Sequence, residues 1–355
     1  MSLSTPRWWY LRGRRAGTLL RLVLTPASWI WASATARRIA EGKRLDPGVP
    51  VICVGNLTLG GAGKTPVAAE ILRLLTARGV QAHALSRGHG GRLAGPVRVD
   101  PLQHTAADVG DEPLMLAQSF PAWIARDRAA GAAAARAAGA EAVVMDDGHQ
   151  NASVDKALSL VVVDGETRDG EWPFGDGSVF PAGPLREPLT AGLARADAVV
   201  LLLPADLATP DPELIAVFRG KPVLIARLEP LRRPPGGPQL AFAGVGKPWK
   251  VERALKAAGC ELVEFVPLPD HARLDDDLLR RLADRASDFG AGMVTTEKDW
   301  ARLPPAWRER IAAWPVRAWF EKEDEIDRLL SRALLPLREK VSAKLTDEGS
   351  KGPSG

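Results

Sequence analysis

One passage constrains this chain more than any other. A short apolar run at 51–54 leads into Gly55-Asn-Leu-Thr-Leu-Gly-Gly-Ala-Gly-Lys-Thr65, and a helical pattern follows. In such a loop the glycines let backbone N–H groups turn inward around phosphate oxygens, the lysine reaches the outer phosphates, and the threonine hydroxyl meets Mg²⁺. The dipole of the following helix adds to the attraction. Thr58, Leu59, Gly60, Gly61, Ala62, Gly63, Lys64 and Thr65 are the expected nucleotide-binding residues, with Lys64 also catalytic and Thr65 also a metal ligand. The usual leading glycine, five residues before Gly63, is replaced by Thr58, and Gly60 and Gly61 stand in for its flexibility.

A phosphate loop requires a parallel sheet with crossover helices. Short apolar runs at 49–54, 80–85, 142–145, 158–163, 198–203 and 222–226 alternate with helical stretches at 65–78, 112–119, 126–138 and 211–219. That alternation predicts an α/β fold with a P-loop NTPase-like parallel sheet flanked by helices. A Pro/Gly-rich linker at 232–238 separates this core, 49–231, from a second strand–helix series. The series predicts a smaller α/β domain over 239–337, and the polar tail, 338–355, reads as disordered. Two distant cysteines, Cys53 and Cys260, form neither a disulfide framework nor a zinc motif.

Charge is unevenly spread. Residues 1–48 carry nine Lys/Arg against Glu41 and Asp46, a balance of +7, so a chain of net +4 leaves −3 for the remainder. A nucleic-acid-binding domain would want that charge on its folded body. Between the arginines lies an apolar, Trp-rich stretch at 16–36, interrupted by Arg21 and Pro26. An interrupted run of that length fits a helix lying in a membrane interface better than a spanning one. A core-packed helix is the alternative reading.

The second Mg²⁺ anchor is normally an Asp ending a neighbouring apolar strand. Asp146 and Asp147, with Gln150 close behind, form one candidate group, and Asp164 is another. Neither Asn56 nor Asn151, the only asparagines, precedes a lysine, and no lysine follows a threonine, so no guanine-reading motif exists and GTP is the poorer donor. The five histidines are scattered, which counts against a metallochaperone. A kinase using ATP and Mg²⁺ is the favoured class, with a P-loop nucleotide switch or metallochaperone as the alternative. No protein partner is evident.

The chain resembles the tetraacyldisaccharide 4′-kinases through a series of motifs in order. These are 54–66 around the phosphate loop, Ser86-Arg-Gly-His-Gly-Gly91, Gly110-Asp-Glu-Pro113, Asp146-Asp-Gly-His-Gln150, Pro181-Ala-Gly-Pro-Leu-Arg-Glu-Pro188, Asp270-His271 and Thr295-Thr-Glu-Lys-Asp299. The resemblance implies phosphorylation of the 4′-hydroxyl of a lipid-linked disaccharide 1-phosphate, a lipid A precursor. It also implies peripheral attachment to the cytoplasmic face of the bacterial inner membrane through the N-terminal helix. By the same resemblance Asp111 is the general base with His271 as its partner, Asp146, Asp147 and Gln150 lie near Mg²⁺, and Arg87, Arg186 and Glu187 contact substrate. His89, His149 and Asn151 depart from the family pattern.

Overall fold

The structure, a computed structural model, describes residues 6–11, 17–270 and 272–335. Its first eight strands are β1 (Val51–Gly55), β2 (Ala82–Ser86), β3 (Val97–Arg98), β4 (Ala122–Ile124), β5 (Ala142–Asp146), β6 (Leu158–Asp164), β7 (Ala198–Pro204) and β8 (Val223–Pro230). Then come β9 (Gln239–Ala243), β10 (Leu262–Pro267), β11 (Gly292–Thr296), β12 (Ile311–Trp314) and β13 (Val316–Phe320). One sheet has the order β13-β8-β7-β6-β1-β5-β2-β4-β3, parallel except for its two edge pairs. The other, β10-β9-β11-β12, is wholly parallel. Central strands such as β1 and β5 are buried along their whole length. That is why they read as continuous apolar runs instead of alternating ones.

The helix Lys64–Ala77 follows β1 and lays Val67, Ala68, Ile71, Leu72 and Leu75 on the sheet, an apolar stripe at helical spacing. Burying one such Val, Leu or Ile side chain stabilises the fold by roughly 1.5–3 kcal/mol. The stripe fixes where the helix begins, and hence where its N-terminus points. Gly63 makes the turn into it at φ 78°, and a Cβ there would sit 2.2 Å from Leu202. Any other residue would strain the turn and collide with β7.

The smaller unit ends earlier than its expected limit at residue 337. After β12 the chain returns, and β13 pairs antiparallel with β8 at the edge of the larger sheet. The helix at 323–335 then buries Ile326, Leu330, Ala333 and Leu334 in the larger core. A buried carboxylate holds this return in place. Glu70 accepts from Arg317 of β13 at 2.9 and 3.1 Å and from Arg73 at 2.8 and 2.9 Å.

The N-terminal helix, Thr18–Glu41, is inverted relative to an ordinary surface helix. It buries Arg21, Ser28 and Thr35 and leaves Leu19, Leu22, Val23, Trp29 and Ile30 between 68% and 81% exposed. The polar side does the docking. Ser28 donates to the Val179 carbonyl at 2.8 Å and accepts from the Ala182 amide, while Trp31 Nε1 donates to the Arg186 carbonyl at 3.0 Å. No helix among the described residues is long and apolar enough to cross a membrane.

Candidate active site

The phosphate loop leaves the C-terminal edge of β1, where open parallel sheets bind their ligands. β5 lies alongside in register, with Val54 opposite Asp146. This register brings the Thr65 hydroxyl within 2.9 Å of Asp146 Oδ2. Asp146 Oδ1 is fully enclosed without a hydrogen-bond partner. Burial, aided by Asp147 and Glu112, pushes the Asp146 carboxyl up to about 7, with Lys64 and Thr65 pulling the other way. Asp147 sits at φ 55° and turns toward the cleft, with Lys64 Nζ 3.8 Å away and Arg186 bridging both its oxygens at 2.9 and 3.2 Å. Desolvation at the cleft floor opposes its ionisation, but Lys64 and Arg186 outweigh that and hold it at about 2. Two neighbouring carboxyls are thus driven apart, one toward the neutral form and one firmly ionised.

The Pro-rich segment 181–188 runs beside the loop as a brace. Thr58 bridges Leu185, the Leu59 amide donates to the Pro184 carbonyl at 2.8 Å, and Arg186 Nε donates to the Thr58 carbonyl at 3.0 Å. Arg186 therefore ties the loop backbone to the Asp147 carboxylate. Its neighbour Glu187 is buried, takes Arg195 on both oxygens at 2.7 Å, and accepts from Gln150 Nε2 at 3.0 Å. The same Gln150 nitrogen donates to the Asn56 carbonyl at 2.9 Å, so the amide braces the start of the phosphate loop. Arg87 is exposed at the end of β2, beside the buried Arg128. Burial and then the Arg87 charge push the Arg128 guanidinium down to about 10.

Asp111 opens the helix Asp111–Ala117, and the Ser86–Gly91 turn packs against the residues just before it. A Cβ on Gly91 would meet the backbone of Asp108–Gly110 at 2.7–2.8 Å, and one on Gly110 would meet the His89 carbonyl at 2.5 Å. Here the smaller unit arrives. Arg302 lies 3.8 Å from Asp111, and Lys298 reaches Glu112 at 3.1 Å and Asp270 at 3.5 Å. Burial works against the Lys298 charge, but Glu112, Asp270 and Asp111 outweigh it and raise its pKa. Asp299 is fully buried, accepting from the Gly244 amide and Thr296 and pairing with Arg302, so it aims the arginine. His271 lies outside the described residues. Its chain neighbour Asp270 is at this junction.

Asp164, the alternative metal anchor, is taken by the smaller unit on the opposite side. Lys247 and Lys250 bind it at 2.7–2.8 Å and hold its carboxyl far below the usual range against the effect of burial. Lys250 and Arg253 go on to Glu166, and Arg253 to Asp169. This carboxylate is a clasp between units. The histidine and asparagine departures are local as well. His149 is buried between Ser159 and the Gly192 carbonyl, and desolvation lowers its pKa to about 4, while the Asn151 side chain accepts from Ser153.

Residues 20–335 match the family described as Tetraacyldisaccharide-1-P 4′-kinase. The chain belongs to the tetraacyldisaccharide 4′-kinase family. It is 69% identical over 327 residues to a tetraacyldisaccharide 4′-kinase of Phenylobacterium zucineum, covering 92% of this chain and 98% of that one. It is 64% identical over 330 residues to one of Caulobacter vibrioides, covering 93% and 98%. Among solved structures, it superposes on an "apo" form of LpxK from Aquifex aeolicus in complex with ATP. The TM-score is 0.67 at 26% identity, over 89% of this chain and 99% of that one. Sequence reasoning singled out neither Arg128 nor Arg302, and Lys298 only as part of the 295–299 motif. Arg128 follows the helix cap Asp127 and looks like a solvated charge, and Lys298 and Arg302 acquire their carboxylate partners only when the units meet.

Proposed function

We propose that this kinase transfers the γ-phosphate of ATP to the 4′-hydroxyl of a tetraacyldisaccharide 1-phosphate in the cleft between its two units, with Asp111 as general base. Residues 58–65 and Lys64 bind the phosphates. Asp146 and Thr65 fit Mg²⁺, since a hard cation takes oxygen ligands and Asp146 Oδ1 has no other partner. Among the described residues no three His, Cys, Asp or Glu side chains gather around a metal, so nucleotide oxygens would complete its shell. When bound, the metal supplies neutralisation of charge on the transferring phosphoryl group. Lys64 and Arg186 add fixed positive charge at the same place.

The 4′-oxygen forms the new bond to phosphorus as the γ-phosphorus–bridging-oxygen bond breaks, its electron pair leaving with ADP. The hydroxyl proton passes to Asp111, which Arg302 steadies from the smaller unit. His271 is the expected partner of that carboxylate. The observation that carries this reading is the junction of Asp111 and Glu112 with Lys298 and Arg302. It supports the reading because it brings cations of the smaller unit onto a carboxylate pair of the larger one, so Asp111 is held by Arg302 and not by the Thr65–Asp146 pair. The outward apolar face of Thr18–Glu41 supports peripheral attachment to a membrane, for which we propose the cytoplasmic face of the inner membrane, with the exposed Arg37, Arg38, Lys43 and Arg44 available to anionic headgroups.

One experiment tests both parts. Intact protein is mixed with labelled ATP and with anionic vesicles carrying tetraacyldisaccharide 1-phosphate, then sedimented. The expected result is a product heavier by one 4′-phosphate, little label from GTP, and protein that stays with the vesicles after a salt wash. No transfer from ATP overturns the catalytic assignment, and full recovery in the supernatant overturns the membrane one.

A further inference from the structure

We infer that Tyr10 is a positioning residue for the phosphate loop, joining the loop to the N-terminal segment and to the smaller unit. Tyr10 is the chain's single tyrosine and is only 1% exposed. Its hydroxyl donates to the carbonyl of Leu59, in the middle of the phosphate loop. The Leu59 amide donates to the Pro184 carbonyl at 2.8 Å, so both backbone polar groups of this residue are held. Lys247, from the smaller unit, places its ammonium 4.2 Å above the Tyr10 ring while binding Asp164 at 2.8 Å. Its neighbour Gly246 is in close backbone contact with the loop: a Cβ there would lie 2.8 Å from the Gly61 amide. One ring therefore touches the loop directly and touches the lysine that brings the smaller unit over it.

The segment carrying Tyr10 is itself tied to the N-terminal helix. Arg21 donates to the Trp8 carbonyl at 3.1 Å and stacks 5.3 Å from the Trp8 ring centre. The Tyr10 carbonyl accepts from the Trp172 amide, and Arg7 lies 3.7 Å from Glu171 and over Trp249. Such anchoring exceeds what a tether to a membrane needs. A tether requires apolar surface facing outward, whereas Tyr10 points inward at the backbone whose N–H groups receive the nucleotide.

The test uses full-length protein in detergent micelles. Tyr10→Phe keeps the ring, its packing and the Lys247 contact, and removes only the hydroxyl. One net hydrogen bond sets the scale, so KM for MgATP should rise roughly two- to tenfold. KM for the lipid acceptor, vesicle recovery and Tm should stay at wild-type values. Trp29→Ser, on the exposed face, should show the reverse, with weaker vesicle recovery and unchanged KM for MgATP. Because there is one tyrosine, wild-type protein grown with 3-fluorotyrosine gives one ¹⁹F resonance from Tyr10. That resonance should move on addition of MgADP. A resonance indifferent to MgADP overturns the inference. So does a Tyr10→Phe enzyme with wild-type KM for MgATP, or one whose loss follows a fall in Tm.

Discussion

The two flanks of β1 look alike in sequence and behave differently in space. On one side β5 ends in Asp146, and on the other β6 ends in Asp164, each after a buried apolar strand paired parallel with β1. Asp146 keeps one oxygen without a protein partner and takes the Thr65 hydroxyl on the other. Asp164 has two lysines on it from the smaller unit. The partners divide the flanks into a chemical side and a mechanical side. The strand-end aspartate that keeps an unpartnered oxygen is the one proposed for nucleotide chemistry, and the one met by two lysines joins the units.

Both flanks use the same charge arrangement to join the units, with carboxylates on the larger and cations on the smaller. On the β5 side Asp111 and Glu112 meet Arg302 and Lys298, and on the β6 side Asp164, Glu166 and Asp169 meet Lys247, Lys250 and Arg253. The largest expected effect belongs to the chemical side. Asp111→Ala and His271→Ala should each lower kcat by about 10²–10⁴-fold with MgATP affinity little changed. The double variant should be hardly worse than the poorer single one, because residues that act as a unit are not additive. Steady-state kinetics with a nucleotide-binding measurement checks this, and losses that multiply would separate the pair. A smaller effect is expected across the sheet. Lys247→Met removes one of two cations from Asp164 and should cost about 1.5–3 kcal/mol in denaturant unfolding, with a modest change in kcat. A kcat loss as large as that of Asp111→Ala would erase the distinction between flanks.

Much of the chemical side was legible in the residues. The strand–loop–Gly-Lys-Thr–helix order needs only local geometry, and the continuous apolar runs announce strands covered on both faces. What stayed hidden depends on partners far along the chain. Asp146 and Asp164 were both candidates because the lysines that set Asp164 apart come 83 and 86 residues later. The partners of Glu187 were equally hidden, since Gln150 lies 37 residues before it. Residues 316–320 fell within the expected second unit, but they pair with β8 of the larger sheet, where Arg317 meets Glu70, 247 residues earlier. The role proposed for Asp111 rests on resemblance to the kinase family, since an acidic residue before a short helix ordinarily reads as a cap.

The most direct test compares Asp146→Asn with Asp164→Asn in the same preparation, measuring turnover per folded molecule and unfolding free energy for each. Asp146→Asn should lose at least about 10²-fold in turnover while its stability holds or rises, since a buried carboxylate with one unpartnered oxygen becomes a neutral amide. Asp164→Asn should lose about 1.5–3 kcal/mol, because it takes the nearest carboxylate from two lysines that keep only Glu166 at 3.3 Å and Glu171 at 3.9 Å, while the molecules that remain folded keep most of their turnover. If Asp164→Asn abolished turnover without destabilising the protein, and Asp146→Asn did the opposite, the assignment of chemistry to the β5 flank would be wrong.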